Sequence, residues 1–388
     1  LPCYNWQSMF LLSLIKKIPL ACIVALVFFV LPFFWFPRGA MDLGGDGNRL
    51  YFYNPEQFIK NVSLYGIDSE GKGNVEQRHA YLIYVGMIAL LKHFINSPHV
   101  IINIWNGMKL SVGFLSIYFI VREIIQGEEK RKKHRLAVEL SAIIAGIFYI
   151  LATGSQSLIF FWVKALHSHD QIFLNPLIFL LLLRYLLTQQ RRYLFCFLFI
   201  SFLFSTNFAL ISAPPLFAFY PLIIVFLLLY VIYIRKRDIV IKDVIFSLFL
   251  FIGLQSFHVL PEILNVFDAR SATNSILFKE SITGGVNFFQ AIHGEGKAIL
   301  SFLVPSSVSN LRWTSFVVPI IIILSFLIER KKNIPILLTS AFVFLSFFLV
   351  SANITNVGYE LYKSLFYIPG FSMFRHFFVQ WAFVYIFF

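Results

Sequence analysis

Long apolar runs broken by short basic clusters constrain this chain more than any single motif. The first run, Ile18 to Pro37, has 20 residues. As a helix it measures about 30 Å, the thickness of a bilayer core. It is too long for the apolar part of a cleaved signal peptide, and no small-residue cleavage site follows it. Hydrophobic residues make up 59% of the chain and charged residues only 13%. That balance excludes an ordinary soluble domain of this length and points to a polytopic membrane protein. The 48 Phe residues reflect either lipid-facing surface or AT-rich codon usage.

A net charge of +13 would fit nucleic acid if the basic residues formed one surface. They do not. They fall in short clusters between apolar runs, as positive-inside signals do. The 3 cysteines form neither a disulfide framework nor a metal spacing; Cys22 and Cys196 lie inside apolar runs.

Charge placement then orders the spans. Lys16 and Lys17 precede the first run, so the N-terminus reads as cytoplasmic and the segment from Arg38 as external. If the run Tyr81 to Ile95 crossed the membrane, the span near His99 to Val121 would carry Lys130-Arg-Lys-Lys-His-Arg135 outside, against the positive-inside rule. If 80–96 lies along the external surface, that cluster falls inside. Its short length, its polar tail Lys92-His93 and its end at Asn96-Ser-Pro98 favour the surface helix. Further spans near 136–155, 169–188, 193–212, 214–234, 243–263, 313–328 and 333–351, and a last run from Phe374, alternate correctly. The expectation is an all-α membrane protein of about ten transmembrane helices in a single domain over 1–388. Its external loops cover 38–98 and 264–312. The chain starts with Leu and ends at Phe387-Phe388, and reads as the N-terminal part of a longer product.

Chemistry concentrates in the external segments. Met41-Asp-Leu-Gly-Gly-Asp-Gly-Asn-Arg-Leu-Tyr51 offers two carboxylates, Asp42 and Asp46, just past the first span. Gly45 and Gly47 let the backbone at Asp46 approach a ligand closely. A base that takes a proton from a sugar hydroxyl must sit within hydrogen-bond reach of it, and Asp46 is the first candidate. The structural alternative is a solvated Asp-Gly turn. His167, Ser168, His169 and Asp170 cluster at the start of a span. They either bind a divalent ion, contact a substrate phosphate, or cap and solvate the helix. Arg78-His79, Lys164, Arg270, Arg312 and Arg375-His376 sit at external span ends, where guanidinium groups suit a lipid phosphate and equally suit snorkelling to headgroups. Glu262 and Asp268 are acid alternatives to Asp46. The sequons Asn61-Val-Ser63 and Asn353-Ile-Thr355 are external. Inside the spans Lys109 is the main buried charge expected.

Two segments carry a resemblance. Asp46-Gly-Asn-Arg-Leu-Tyr51, Asn54-Pro-Glu-Gln-Phe-Ile-Lys60 and Asn74-Val-Glu-Gln-Arg-His-Ala-Tyr-Leu82 resemble the first periplasmic loop of bacterial α-(1→3)-arabinofuranosyltransferases. Tyr359 to Arg375, containing Ile-Pro-Gly-Phe-Ser-Met-Phe-Arg375, is similar to a segment shared by those enzymes and by YfhO-like membrane proteins. Both groups belong to the GT-C class of polyprenyl-phosphate-sugar-dependent glycosyltransferases. The resemblance implies a GT-C-like fold, surface helices in the first loop, and a first-loop Asp as catalytic base. Asp46 is the matching position and Asp42 the fallback. The family usually has Pro soon after the Phe-Arg pair, whereas His376 and Phe377 follow Arg375 here, which departs from shared specificity.

These readings converge on an inverting glycosyl transfer at the outer face of the cytoplasmic membrane. A polyprenyl-phosphate sugar would be the donor and an envelope glycan or lipid the acceptor. Asp46 would be the base, and Arg78, His79, His167, His169, Arg270 and Arg375 would contact substrate or phosphate. No nucleotide or redox cofactor is implied, and a divalent metal is left open. A transporter or flippase of lipid-linked glycans is the alternative. It would require ionisable residues or broken helices at mid-membrane. A non-catalytic envelope-assembly protein is a third reading.

Overall fold

The computed structural model describes residues 19–35, 50–65, 78–126, 135–153, 170–208, 214–234, 241–267, 324, 334–352, 355–368, 371–374 and 377–388. Every regular element among them is helical, and no strand occurs among the described residues. In chain order the α-helices are α1 (Leu20–Val30), α2 (Pro55–Tyr65), α3 (Leu82–Phe94), α4 (Pro98–Gln126), α5 (Arg135–Thr153), α6 (Asn175–Thr188), α7 (Arg191–Leu203), α8 (Pro214–Leu229), α9 (Ile241–Phe267), α10 (Ile334–Ser351), α11 (Asn356–Ser364) and α12 (Phe377–Phe387). Short 3-10 turns at Arg78–Tyr81, Asp170–Leu174, Ser205–Phe208 and Phe371–Phe374 link them. Local sequence accounts for several boundaries. Proline stands at the first turn of α6, where its missing N–H is not needed. The same helix ends on Gln189 in the left-handed region, φ 54°, whose N–H bonds Tyr185 O.

Side-chain pairs give the helix directions. Ser111 Oγ donates to Ala25 O at 2.6 Å, and a Cβ on Gly107 would stand 2.1 Å from Phe29 O, so α1 and α4 run antiparallel in close contact. Tyr118 bonds Glu139, and a Cβ on Gly146 would touch the Phe114 ring at 2.7 Å, so α5 returns antiparallel to α4. Gly113 lies against Phe173 O and Arg184 pairs with Glu123 at 3.5 Å, so α6 runs parallel to α4. α7 and α9 are parallel, with Phe197 on Phe251 and Ser201 beside Gln255. α8 follows α6, with Phe226 on Phe179. α10 and α12 are antiparallel, with Phe347 on Tyr385 and Phe342 on Phe388. Small residues at these crossings let backbones approach, the packing device of helix bundles in lipid.

The bundle therefore has two distinct ends. One, the turn end, gathers the Arg78–Tyr81 and Ser205–Phe208 turns, the starts of α4, α6 and α8 and the end of α9. The far end gathers the end of α4, the start of α5 and the α6–α7 connection. α3 belongs wholly to the turn end. It begins at the Arg78–Tyr81 turn, and Lys92 near its end donates to Tyr53 O at 3.0 Å and pairs with Glu56 at 3.3 Å. The next helix, α4, starts at the same end.

Ile245–Leu264, within α9, is long and apolar enough to cross a membrane. Leu337–Ser351 and Asn356–Tyr367 pass the same test only together, across a 95° bend. Leu20–Phe34, Leu136–Leu151, Ile172–Thr188 and Leu222–Ile234 are apolar but shorter. The described residues thus establish an all-α chain with one helix of full spanning length; the expected ten spans include 313–328, which lies outside them apart from Leu324. The core is aromatic and aliphatic, yet α9 also turns Ile245, Phe246, Phe249, Leu260 and Leu264 outward, Phe249 being 74% exposed.

Candidate functional site

Asp42, Asp46, His167, His169, Arg270 and Arg375 lie outside the described residues. Arg78 and His79 lie in the Arg78–Tyr81 turn at the turn end. Arg78 places its guanidinium 5.6 Å from the centre of the Phe58 ring, a cation–π contact that fixes it over α2. His79 has a buried Nδ1 with no hydrogen-bond partner among the described residues. The turn is anchored from below: Ser205 Oγ donates to Ala80 O at 2.6 Å. It also packs directly on α9.

α9 carries there a buried polar trio, of which the sequence reading names only Glu262. Gln255, His258 and Glu262 recur at helical spacing, so they share one face. They are 1%, 0% and 5% exposed. Gln255 Nε2 donates to Ser201 O at 2.9 Å. Its Oε1 lies 2.8 Å from His258 Nε2. His258 Nδ1 lies 3.4 Å from Glu262 Oε1. Glu262, an acid alternative to Asp46 at the end of the expected 243–263 span, is therefore inside the helix and paired with His258. Lys109 is buried as anticipated, but it is not the main exception to uncharged spans, because His258 and Glu262 join it. The signal was present as one polar residue every three or four positions along an otherwise apolar run.

Uncharged polar groups complete the turn end. Asn207 Nδ2 donates to Asn175 Oδ1 at 2.9 Å, and Tyr220 Oη approaches the same oxygen at 3.3 Å. Asn106 on α4 is 1% exposed, and neither atom of its amide finds a partner among the described residues. Asn103 Oδ1, Asn175 Nδ2 and Ser201 Oγ share that condition. Buried polar groups without partners cost about 1–3 kcal/mol each, so their concentration at one end marks a place that a native fold keeps for polar company.

The far end is built differently. It holds two ion pairs, Arg122 with Glu139 at 3.7 Å and Arg184 with Glu123 at 3.5 Å, with Arg122 also over the Tyr118 ring. No group of three or more His, Cys, Asp or Glu able to hold a metal occurs among the described residues.

Compared with known protein families, curated proteins and solved structures, the chain matches none.

Proposed function

We propose that the chain is a membrane glycosyltransferase of the GT-C type, taking a sugar from a polyprenyl-phosphate donor to an envelope glycan or lipid acceptor. The observation that carries this reading is the asymmetry of the bundle. Buried polar and ionisable groups gather at the turn end, beside α2 and α3, while the far end holds the ion pairs Arg122–Glu139 and Arg184–Glu123. Chemistry on the polar head of a lipid-linked substrate needs polar groups at one membrane face only. A conduit needs them through both halves. The outward-facing apolar residues of α9 suit a bundle surrounded by lipid, with the turn end on the external face and α3 lying along it.

In this mechanism Asp46 takes the proton of the acceptor hydroxyl as its oxygen attacks the anomeric carbon. The bond to the lipid phosphate breaks in the same displacement, which inverts the anomeric centre. Arg78, with Arg270 and Arg375, offsets the charge developing on the leaving phosphate. His79, His167 and His169 contact the substrate head. Asp42 is the fallback base.

The test is sugar transfer from a labelled polyprenyl-phosphate sugar by the full-length protein in liposomes. Asp46→Asn should lower the rate by about 10²–10⁴-fold, with Asp42→Asn much milder. If Asp42→Asn alone is dead, the base moves four residues upstream. Full activity in both variants removes a first-segment carboxylate base.

A transporter of lipid-linked glycans is the second reading, favoured by the His258–Glu262 pair inside a helix of spanning length. Movement of a labelled lipid-linked glycan between leaflets without formation of a glycosidic bond would select it.

A further inference from the structure

α11 leaves the end of α10 at a sharp angle, and the cause is local. Thr355 caps the helix by accepting from Gly358 N at 3.0 Å. A Cβ on Gly358 would stand 2.8 Å from Ala352 O, so glycine is what lets the first turn of α11 press on the end of α10. The segments Leu337–Ser351 and Asn356–Tyr367 meet at 95°. Tyr362 then holds the helix in place through its bonds to Phe374 O and Trp381 Nε1.

The surface of α11 divides three ways. Gly358 and Tyr362, with Phe366 just past the helix end, recur every four residues and form the row that faces the core. At 3.6 residues per turn, Val357 and Leu361 fall on one flank of that row, and Asn356, Glu360 and Lys363 on the other. Val357 is 71% exposed and Leu361 53%; Tyr367 and Ile368, just beyond, are 78% and 52% exposed. On the polar flank Lys363 pairs with Glu360 at 3.5 Å. Four large apolar side chains left open on so short a segment mark a surface that something covers.

What covers them follows from α10. That helix carries no charged residue and turns Leu337, Phe344 and Leu345 outward, as a helix set in hydrocarbon does. Arg330-Lys-Lys332 precedes it and marks the inner side, so α11 follows at the outer end. A helix that turns by 95° at the end of such a span lies in the plane of the membrane. Dipping α11 back into the bilayer would carry Glu360 and Lys363 into hydrocarbon. Lying along the surface, it meets lipid with one flank and water with the other.

We propose that α11 is a membrane-interface anchor, with Val357, Leu361, Tyr367 and Ile368 seated among phospholipid headgroups and the upper acyl chains, and Asn356, Glu360 and Lys363 turned to water. Tyrosine suits that level, because its ring is apolar and its tip polar. Since Tyr362 also bonds Phe374 O, the anchor sets the depth of the Phe371–Phe374 turn. The proposal needs a bilayer but no glycosyl transfer, so it stands or falls apart from the proposed reaction.

Spin labelling of the full chain in phosphatidylcholine nanodiscs tests it. Cys3, Cys22 and Cys196 are replaced by alanine, and Leu361→Cys and Glu360→Cys each carry a nitroxide. Relaxation by oxygen, which concentrates in lipid, is compared with relaxation by a water-soluble nickel chelate. Leu361→Cys should respond mainly to oxygen, at a depth of about 5–10 Å below the headgroup boundary, and Glu360→Cys mainly to the chelate. Val357→Cys and Lys363→Cys should repeat the contrast one turn away, and they decide if either first variant loses the wild-type helical circular dichroism. Chelate access on both flanks places α11 in water and overturns the proposal. Oxygen access on both places it inside the bilayer and overturns it too. A label at Leu361 shielded from both reagents shows that protein, a second copy or another chain, covers the flank, and overturns it equally.

Discussion

Asn207 Nδ2 donates to Asn175 Oδ1 at 2.9 Å across 32 residues of sequence, and both side chains are fully buried. The bond ties the Ser205–Phe208 turn to the first residue of α6. Tyr220 adds the start of α8 to the same oxygen. Three connections that would otherwise be free to splay are thus held at one acceptor. Asn207→Ala removes the stronger donor and leaves Asn175 Oδ1 with Tyr220 alone. We expect a loss of about 1–3 kcal/mol, seen as a lower unfolding temperature in detergent. Asn175→Ala should be at least as damaging, and the double variant less than additive, since the two residues act through one bond.

Close packing of α1 on α4 depends on Gly107. A Cβ there would meet Phe29 O at 2.1 Å and Phe29 C at 3.0 Å, and backbone atoms cannot swing aside as a long side chain can. Gly107→Ala should therefore destabilise by at least about 1–3 kcal/mol, the usual range for overpacking, despite the better helix propensity of Ala. Gly86 on α3 is the control, for a Cβ there meets nothing within 4 Å. Gly86→Ala should be neutral or stabilising by up to about 1 kcal/mol. Thermal unfolding of both variants in the same detergent checks the contrast.

Much of the helical order was legible because apolar runs and basic clusters mark helix bodies and ends. The expected spans 136–155 and 333–351 fall on Arg135–Thr153 and Ile334–Ser351. The expected run 214–234 falls on Pro214–Leu229 and the turn of helix that continues it to Ile234. The short helix at 80–96 appears as Leu82–Phe94. The site was less legible, for two physical reasons. Asn106, Asn175 and Asn207 are uncharged amides, and inside apolar runs nothing local separates a buried amide from a lipid-facing one. His258 was hidden by averaging, since a run can be apolar overall while one of its faces is polar, and Glu262 was named as an acid without its buried partner. Asp42, Asp46, His167, His169, Arg270 and Arg375 lie outside the described residues, so the chemistry expected of them stands on the sequence alone.

Lys92 closes α3 onto α2 through two contacts of different kinds, a neutral acceptor at Tyr53 O and the Glu56 carboxylate. Glu56 is held below the ordinary carboxylate range first by its backbone amide hydrogen bond, with burial opposing that and Lys92 adding to it. A carboxylate with a lowered folded-state pKa stabilises above its unfolded value and loses that contribution as pH falls through the folded one. The α2–α3 contact should therefore loosen below about pH 4.5, the ordinary value for Glu. Glu56 is 62% exposed, so the effect is small, and Glu56→Gln should change stability by no more than about 1 kcal/mol. Lys92→Met loses the Tyr53 bond as well and should do more. Hydrogen exchange of residues 55–65 and 82–94 at neutral and acidic pH separates the two, with faster exchange in Lys92→Met at both.

Tyr362 joins α11 to the Phe371–Phe374 turn and the last helix. Its hydroxyl donates to Phe374 O at 2.6 Å and accepts from Trp381 Nε1 at 2.9 Å. The side chain is fully buried, and its ring packs edge-on against Phe366 and Phe371. Tyr362→Phe keeps that aromatic packing and removes only the hydroxyl, so a buried carbonyl and a buried indole N–H lose their partner together. The expected loss is about 1–3 kcal/mol for each group left unsatisfied. Trp381→Phe removes the donor along with its need for a partner and leaves the Tyr362–Phe374 bond in place, so its hydrogen-bond loss should be smaller. Because Phe374 immediately precedes Arg375, Tyr362→Phe should also speed hydrogen exchange through 371–374, whereas Trp381→Phe should leave that turn protected. Equal exchange in the two variants would show that the tyrosine hydroxyl does not hold the Phe371–Phe374 turn.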